Sequence, residues 1–230
     1  MDSLPLLFEG LAHWALPVII AISLHEAAHG YVAWILGDDT AKRLGRVTIN
    51  PFKHVHPVGT ILIPAALFFA RAPFLFGFAK PVPVNFTRLR HPKQDMIWVA
   101  LAGPAMNIML ALISALLLHT VAFAGEYANI IETNLSNSVM INVGLAVFNM
   151  FPLPPLDGGR IITGLLPLKW AIPYAKLESY GFFLLIGLIF LLPLLGERYG
   201  LDLDVFSRFM EYGIRGLTMA VIFLAGGFSS

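Results

Sequence analysis

The sequence predicts an all-α integral membrane helix bundle of about five or six transmembrane segments. Of the 230 residues, 57% are hydrophobic and only 13% are charged, and the mean hydropathy is +0.76. Soluble domains carry about 25% charged residues. A helix needs about 20 apolar residues to cross a bilayer, so residues 1–230 suit one compact membrane-embedded domain.

The charge and cysteine content exclude several classes of function. The net charge of +1 says nothing about nucleic-acid binding, and no run of basic residues suggests it. The chain has no cysteine, so disulfides and thiolate ligands are excluded and His, Asp and Glu remain as metal-ligand candidates. Residues 1–10 contain no Lys or Arg, so we expect no cleavable signal peptide.

The first predicted span, at about residues 11–36, contains the sequence Ser-Leu-His-Glu-Ala-Ala-His-Gly at 23–30. Residues four apart share one face of a helix, so His25 and His29 have the spacing at which two imidazoles bind one zinc ion. Glu26 lies beside them as a candidate general base. Titratable side chains at membrane depth are costly unless they serve a site. The alternative is a structural cluster without a metal.

The polar segment after this span has two features. Residues 46–50 alternate in polarity and predict a short strand. His54 and His56 are two residues apart and offer a possible second metal pair, although two solvated loop histidines are the simpler interpretation.

Residues 59–79 have too short an apolar run to cross a bilayer alone, and basic residues flank them on both sides. The positive-inside rule places both flanks on the cytoplasmic side, which favours a re-entrant or hairpin element over a crossing. The residues that follow are Lys80, Pro81, Val82, Pro83, Val84 and Asn85. Two prolines confine such a segment to the edge of a sheet.

The second clear span is predicted at about 95–123, with a break at Gly103-Pro104 and a buried amide at Asn107. The acidic loop 125–137 is expected outside. Three further spans are predicted at about 138–156, 178–195 and 212–228. This topology puts the N-terminus outside and the histidine motif in the cytoplasmic half of the bilayer.

A catalytic zinc site needs a third protein ligand, and Asp157 is the leading candidate. It ends a predicted span, follows a proline-rich break and lies on the same side as His29. Gly158 and Gly159 follow it and would let the backbone turn sharply and approach a metal closely. The alternative is an ordinary helix-end turn that the Asp caps.

The motifs at 25–30, at 149–152 (Asn-x-x-Pro) and at 156–160 (Leu-Asp-Gly-Gly-Arg) together resemble the site-2 protease family of intramembrane zinc metalloproteases. Gly103-Pro104 with Asn107, and residues 77–85, resemble further signatures of its short members, which lack appended domains. The matching blocks extend over about residues 20–180. One departure is His56, where an Asp is expected before the proline.

The resemblance implies a zinc metalloendopeptidase with one zinc ion per chain, held by His25, His29 and Asp157, and with Glu26 as the acid/base. It implies that Asn149 positions the substrate or steadies the oxyanion, and that Asn107 braces the core. Residues 80–85 would form a loop whose edge pairs with an extended substrate. The catalytic core would occupy about residues 11–176 and C-terminal helices about 177–230. The protein would reside in a prokaryotic cell membrane and cleave transmembrane protein substrates.

Two other functions are compatible with part of the sequence. A zinc transporter would also have broken helices and intramembrane histidines, but the chain has no obvious inverted repeat. A catalytically silent relative would hold zinc without turnover, yet all four proposed chemical residues are present. Nothing in the sequence specifies the substrate, a gating partner or an oligomeric state.

Overall fold

A computed structural model describes residues 3–54, 56–62 and 80–227, and in these ranges it contains helices and turns but no strand. The α-helices are α1 (Ser3–Ile35), α2 (Thr40–Arg43), α3 (Pro92–Leu118), α4 (Ala128–Asn149), α5 (Asp157–Leu165) and α7 (Val205–Leu224). Between the last two, α6 (Leu168–Tyr199) is a run of α-, 3₁₀- and π-helical turns. Short 3₁₀ turns lie at Pro51–Lys53, Phe86–Arg88 and Val121–Tyr127, and a π-helical turn at Pro57–Leu62. The fold is therefore all-helical throughout the described ranges.

Within the described ranges, three helices are long and apolar enough to cross a membrane. They are His13–Ile35 within α1, Pro92–Leu118, which is α3, and Leu168–Tyr199, which is α6. The predicted spans at 11–36, 95–123 and 178–195 each overlap one of them. Helices α4 and α7 contain most of the other two predicted spans. They are too polar in composition to be counted with these three. In α7 the reason is three charged residues, Arg208, Glu211 and Arg215. The total of five or six spans stays a prediction.

Helix α3 lies at the centre of the bundle and packs against α1, α4 and α5. Its contacts with α4 and α7 are made by small side chains, among them Ala111, Ala115 and Val143, which are almost fully buried. On its other side Val99 packs with Ala33 of α1. Lipid is as apolar as a helix surface, so close backbone approach through small residues is how membrane helices associate. This packing holds α1 and α3 close together along the histidine motif.

Three local predictions were wrong. Residues 46–50 form no strand and bend at 47–49, because Gly45 turns the chain at φ +63° and the buried Arg46 side chain binds elsewhere. The helix does not break at Gly103-Pro104, and Pro104 lies inside the continuous α3, as neighbouring helices permit in a bundle. The loop expected at 125–137 is helical from Ala128 onwards, because the turn is made earlier, at Gly125 with φ +58°.

The predicted re-entrant element at 59–79 falls largely outside the described residues. Its first residues belong to the π-helical turn Pro57–Leu62. The description resumes at Lys80, where residues 80–85 carry no regular secondary structure. The edge strand predicted there is absent, and hydrogen bonds to side chains and loop backbone hold the segment instead.

Candidate metal centre

Two histidines of α1 face each other one helical turn apart. The Nε2 atoms of His25 and His29 are 3.0 Å apart, and the rings meet edge to face with centroids 4.6 Å apart. Both residues are buried, at 7% and 8% exposure. The helical spacing of the motif therefore brings two imidazole nitrogens to one point inside the bundle.

A carboxylate from a distant part of the chain completes the cluster. Asp157 is the first residue of α5, and its Oδ2 lies 3.4 Å from Nε2 of each histidine. Among the described residues, these three form the only group of three or more potential metal ligands whose ligand atoms lie close together.

Gly158 and Gly159 place Asp157 in a way that the sequence did not suggest. A Cβ at Gly158 would collide with the backbone of Met150 and Phe151, and one at Gly159 with the backbone around Pro154. Both glycines thus let the start of α5 pack onto the turn that precedes it, instead of approaching a metal. Since this turn ends at Asp157, its compactness sets where the carboxylate points.

Hydrogen bonds to the far side of each imidazole determine which nitrogen carries the proton. His25 Nδ1 lies 2.6 Å from Asn107 Oδ1, and His29 Nδ1 lies 2.7 Å from the carbonyl oxygen of Val99. Both oxygens only accept, so each Nδ1 carries a hydrogen and donates it. In the neutral rings the two Nε2 lone pairs then face each other and Asp157 Oδ2, a buried oxygen without a hydrogen-bond partner in the described ranges.

This donor set fits a tetrahedral cation. Ligand atoms bound to zinc at about 2.0–2.1 Å are about 3.3 Å apart along the edges of a tetrahedron. The three measured separations are 3.0, 3.4 and 3.4 Å. Without a cation, or an additional proton, three lone pairs would face one another in a buried site, which is costly. Two neutral imidazoles and one carboxylate are ligands that suit zinc.

Helix α3 leaves room for the cluster at Gly103. A Cβ there would lie 2.6 Å from His25 Nε2 and closer still to His29 Nε2. Any larger residue would occupy the space in front of the two Nε2 atoms.

Asn107 is the first member of a buried polar network that sequence reasoning found only in part. Its Nδ2 donates to Asn142 Oδ1 at 2.8 Å and to the carbonyl of Ala21 at 3.3 Å, which orients its oxygen toward His25. Asn142 Nδ2 in turn donates to the carbonyl of Ser138 at 2.9 Å. Both asparagines have zero exposure. Asn142 was missed because α4 contains five asparagines, and nothing in the sequence distinguishes the buried one from the others.

Glu26 and Asn149 line the same cavity of about 380 Å³ as the three ligand candidates. Glu26 Oε2 accepts a hydrogen bond of 2.7 Å from the backbone N–H of Val82. Asn149 uses one amide hydrogen on the carbonyl of Leu145 in its own helix. Pro81, Val82 and Val84 form part of the wall, and an ion pair between Arg160 and Glu178 (3.1 Å) forms another part. The cavity thus joins the metal candidates, a carboxylate and an amide in one space.

The other histidines lie away from this cluster. His54 is buried, and its Nε2 bonds to the carbonyl of Thr48 at 3.0 Å. His56 Nδ1 accepts from the N–H of Gly59, and no metal cluster in the described ranges includes either residue. His54 is therefore a buried histidine, bonded through Nε2 and without a partner at Nδ1 among the described residues, and not the solvated one expected. His13 contacts Asn134, and His119 Nε2 donates to the carbonyl of Ala225.

Residues 13–194 match the sequence profile of peptidase family M50. The match covers most of the chain and all the cavity residues named above. The chain belongs to peptidase family M50. This membership agrees with the resemblance to the site-2 proteases that the motifs carry.

Curated relatives of this M50 member bear names consistent with a zinc peptidase. It is 39% identical over 189 residues to a putative zinc metalloprotease, YwhC, of Bacillus subtilis, covering 80% of this chain and 82% of that protein. It is 28% identical over 171 residues to a putative zinc metalloprotease, Rip2, of Mycolicibacterium smegmatis, covering 74% of this chain and 64% of the relative. No solved structure matches the chain.

Proposed function

We propose that this M50 member is an intramembrane zinc metalloprotease that hydrolyses peptide bonds within or near transmembrane segments of other proteins. The observation that supports it most is the triangle of 3.0, 3.4 and 3.4 Å formed by His25, His29 and Asp157. The two histidines lie on a helix long and apolar enough to cross a membrane.

The three residues would hold one zinc ion per chain, through Nε2 of each histidine and the Asp157 carboxylate. When bound, zinc supplies a Lewis acid that polarises the scissile carbonyl and strengthens water as a nucleophile near neutral pH. Asn107 and the Val99 carbonyl keep each imidazole in the tautomer that presents its lone pair to the ion. Asn107 thereby acts through His25 and braces the core through Asn142.

Glu26 is the proposed acid/base. Its carboxylate lines the cavity with one oxygen held by Val82 N–H. The carboxylate takes the proton of the attacking water and later delivers it to the leaving amine.

Asn149 is proposed to bind the substrate carbonyl or the oxygen that becomes negatively charged. Its side chain lines the cavity, and its one hydrogen bond within the described residues uses a single amide hydrogen, donated to the carbonyl of Leu145. A fixed amide donor at that position would stabilise charge as it develops.

The substrate class follows from the membrane setting. A transmembrane helix hides its carbonyls in internal hydrogen bonds, so the scissile stretch must unwind before it reaches the cavity. Residues 80–85 form one wall of that cavity and are proposed to pair with the unwound stretch. The bacterial relatives support a prokaryotic cell membrane, and the positions of Lys and Arg favour a site toward the cytoplasmic side.

The test is purification in detergent, followed by metal analysis and a cleavage screen. We expect one zinc per chain and cleavage of single-span substrates that a zinc chelator abolishes. The Glu26→Gln variant should keep its zinc and lose cleavage, whereas a zinc permease need not stop transport when this residue changes. A chain that binds no zinc, or a variant that still cleaves, would contradict the proposal.

A further inference from the structure

The segment Lys80–Asn85, called here the wall segment, is fixed by its contacts with the rest of the chain and not by strand pairing. Two of its six residues are prolines, so it has four backbone N–H groups. Lys80 N–H donates to the His54 carbonyl at 2.9 Å, Val82 N–H to Glu26 Oε2 at 2.7 Å, and Asn85 N–H to Asp38 Oδ2 at 2.6 Å. Two of these three partners are carboxylates.

Arg46 is hydrogen-bonded to the backbone at the beginning of the wall segment. Its Nη2 donates to the carbonyl of Lys80 at 2.6 Å and lies 3.5 Å from that of Pro81. The residue is only 6% exposed, and within the described ranges it forms no ion pair and its Nε has no partner. A buried guanidinium without a carboxylate is costly. The Lys80 and Pro81 carbonyls are the acceptors that this guanidinium contacts within the described ranges.

Asp38 is hydrogen-bonded to the backbone at the end of the wall segment. It has zero exposure. One carboxylate oxygen accepts from the backbone N–H and the hydroxyl of Thr40, at the start of α2, while the other accepts from Asn85 N–H. The carboxylate thus joins the end of the wall segment to the loop that follows α1.

The contact between Val82 and Glu26 lies between the Arg46 and Asp38 hydrogen bonds along the wall segment. Gly30 of α1 has no side chain, and a Cβ there would lie 3.0 Å from Val82 Cγ1, so the wall segment rests directly on the helix that carries Glu26. The Val82 N–H is thereby aimed at one oxygen of a flexible glutamate side chain. Holding both ends of the wall segment fixes the direction of this donor, and with it the orientation of the carboxylate.

We propose that Arg46 and Asp38 are positioning residues, which hold the wall segment so that Val82 N–H orients the Glu26 carboxylate toward the cavity. This inference rests on the proposed function of Glu26 as acid/base. Neither residue lines the cavity. Their loss should therefore lower kcat while leaving the zinc content unchanged. Outer-shell partners of this kind typically contribute about 10- to 100-fold to activity.

The central experiment compares Arg46→Ala with Arg46→Lys and with Arg43→Ala. Lysine can still donate to the Lys80 carbonyl, so it should restore part of the activity. Arg43 is a matched control, since its exposed side chain pairs with Asp39 and does not contact the wall segment. Each variant is purified in detergent and measured for zinc content, for kcat and KM on one single-span substrate, and for amide hydrogen exchange of residues 80–90.

In Arg46→Ala we expect the amides of Lys80 and Val82 to exchange at least about 10-fold faster, because the free energy of local opening falls when the Arg46 hydrogen bonds are lost. We expect kcat to fall about 10- to 100-fold at constant zinc content. Arg46→Lys should recover part of both properties, and Arg43→Ala should match the wild type. Unchanged exchange in Arg46→Ala, or faster exchange with unchanged kcat, would overturn the proposal.

Two further variants keep the inference testable. If Arg46→Ala does not fold, Asp38→Ala tests the hydrogen bond at the other end of the wall segment. This substitution should speed exchange at Asn85 and Val82. Glu26→Ala should speed exchange at Val82 but not at Lys80. If the wild type neither binds zinc nor cleaves, the proposed function fails. The exchange data then still decide whether the wall segment is held as described, and unchanged Val82 exchange in Glu26→Ala refutes that.

Discussion

Substituting Gly103 by alanine should weaken zinc binding while leaving the helix bundle folded. The added Cβ would lie 2.6 Å from His25 Nε2, whereas ordinary contact begins at 3.4 Å, so the overlap is 3.4 − 2.6 = 0.8 Å. His25 cannot retreat freely, because its Nδ1 is bonded to Asn107. Metal–ligand distances tolerate only about 0.2 Å. A displacement several times larger should lower zinc affinity by at least about 10- to 100-fold, the size of effect seen for outer-shell changes.

The assay is zinc content after purification in detergent, together with competition against a chromophoric chelator. Gly144→Ala is a matched control, because a Cβ at Gly144, also inside a helix, would meet nothing within 4 Å. It should keep zinc and be slightly more stable, by up to about 1 kcal/mol, since alanine favours helix over glycine. A Gly103→Ala protein that binds zinc with wild-type affinity would show that the missing side chain at Gly103 is not needed to leave room for the metal centre.

Three further substitutions test individual atoms of the site. Glu26→Gln should keep zinc and lower cleavage by about 10²- to 10⁴-fold, because an amide cannot act as the base, although it can still accept from Val82 N–H. Asp157→Asn should lose most of the zinc in metal analysis, because a neutral amide replaces the one anionic ligand. Asn107→Leu should lower the free energy of unfolding by about 1–3 kcal/mol in a thermal or denaturant titration, because His25 Nδ1 is left without its acceptor.

Each of these has an outcome that contradicts it. Cleavage by Glu26→Gln at the wild-type rate would exclude Glu26 as the base. Full zinc content in Asp157→Asn would mean that the carboxylate is not a ligand. An Asn107→Leu protein as stable as the wild type would show that the buried network contributes nothing net to stability. Asn149→Leu is the comparison for Asn107→Leu. The described side-chain bond of Asn149 is to its own helix, so this substitution should affect cleavage more than stability.

Local sequence patterns predicted those parts of the molecule in which neighbours along the chain decide the outcome. The apolar run around His25 and His29 predicted a long helix with both rings on one face, and the structure contains this helix. Short-range signals misled where a tertiary contact decides. Residues 46–50 alternate like a strand, yet the Arg46 side chain turns inward to Lys80. The pair Gly103-Pro104 reads as a helix break, yet α3 continues through it against its neighbours.

The sequence by itself determined the helical class, the pairing of two imidazoles and the type of ligands available, because composition and the 3.6-residue period are local properties. The motifs also named Asp157 as a candidate, but only the tertiary structure decided which atoms of distant residues meet those imidazoles. Asp157 is more than 120 residues from His29 in sequence, and the contacts of Asn142, the Val99 carbonyl, Arg46 and Asp38 likewise depend on how helices and loops pack. No periodicity encodes such contacts, because they depend on where whole elements lie after the bundle has assembled.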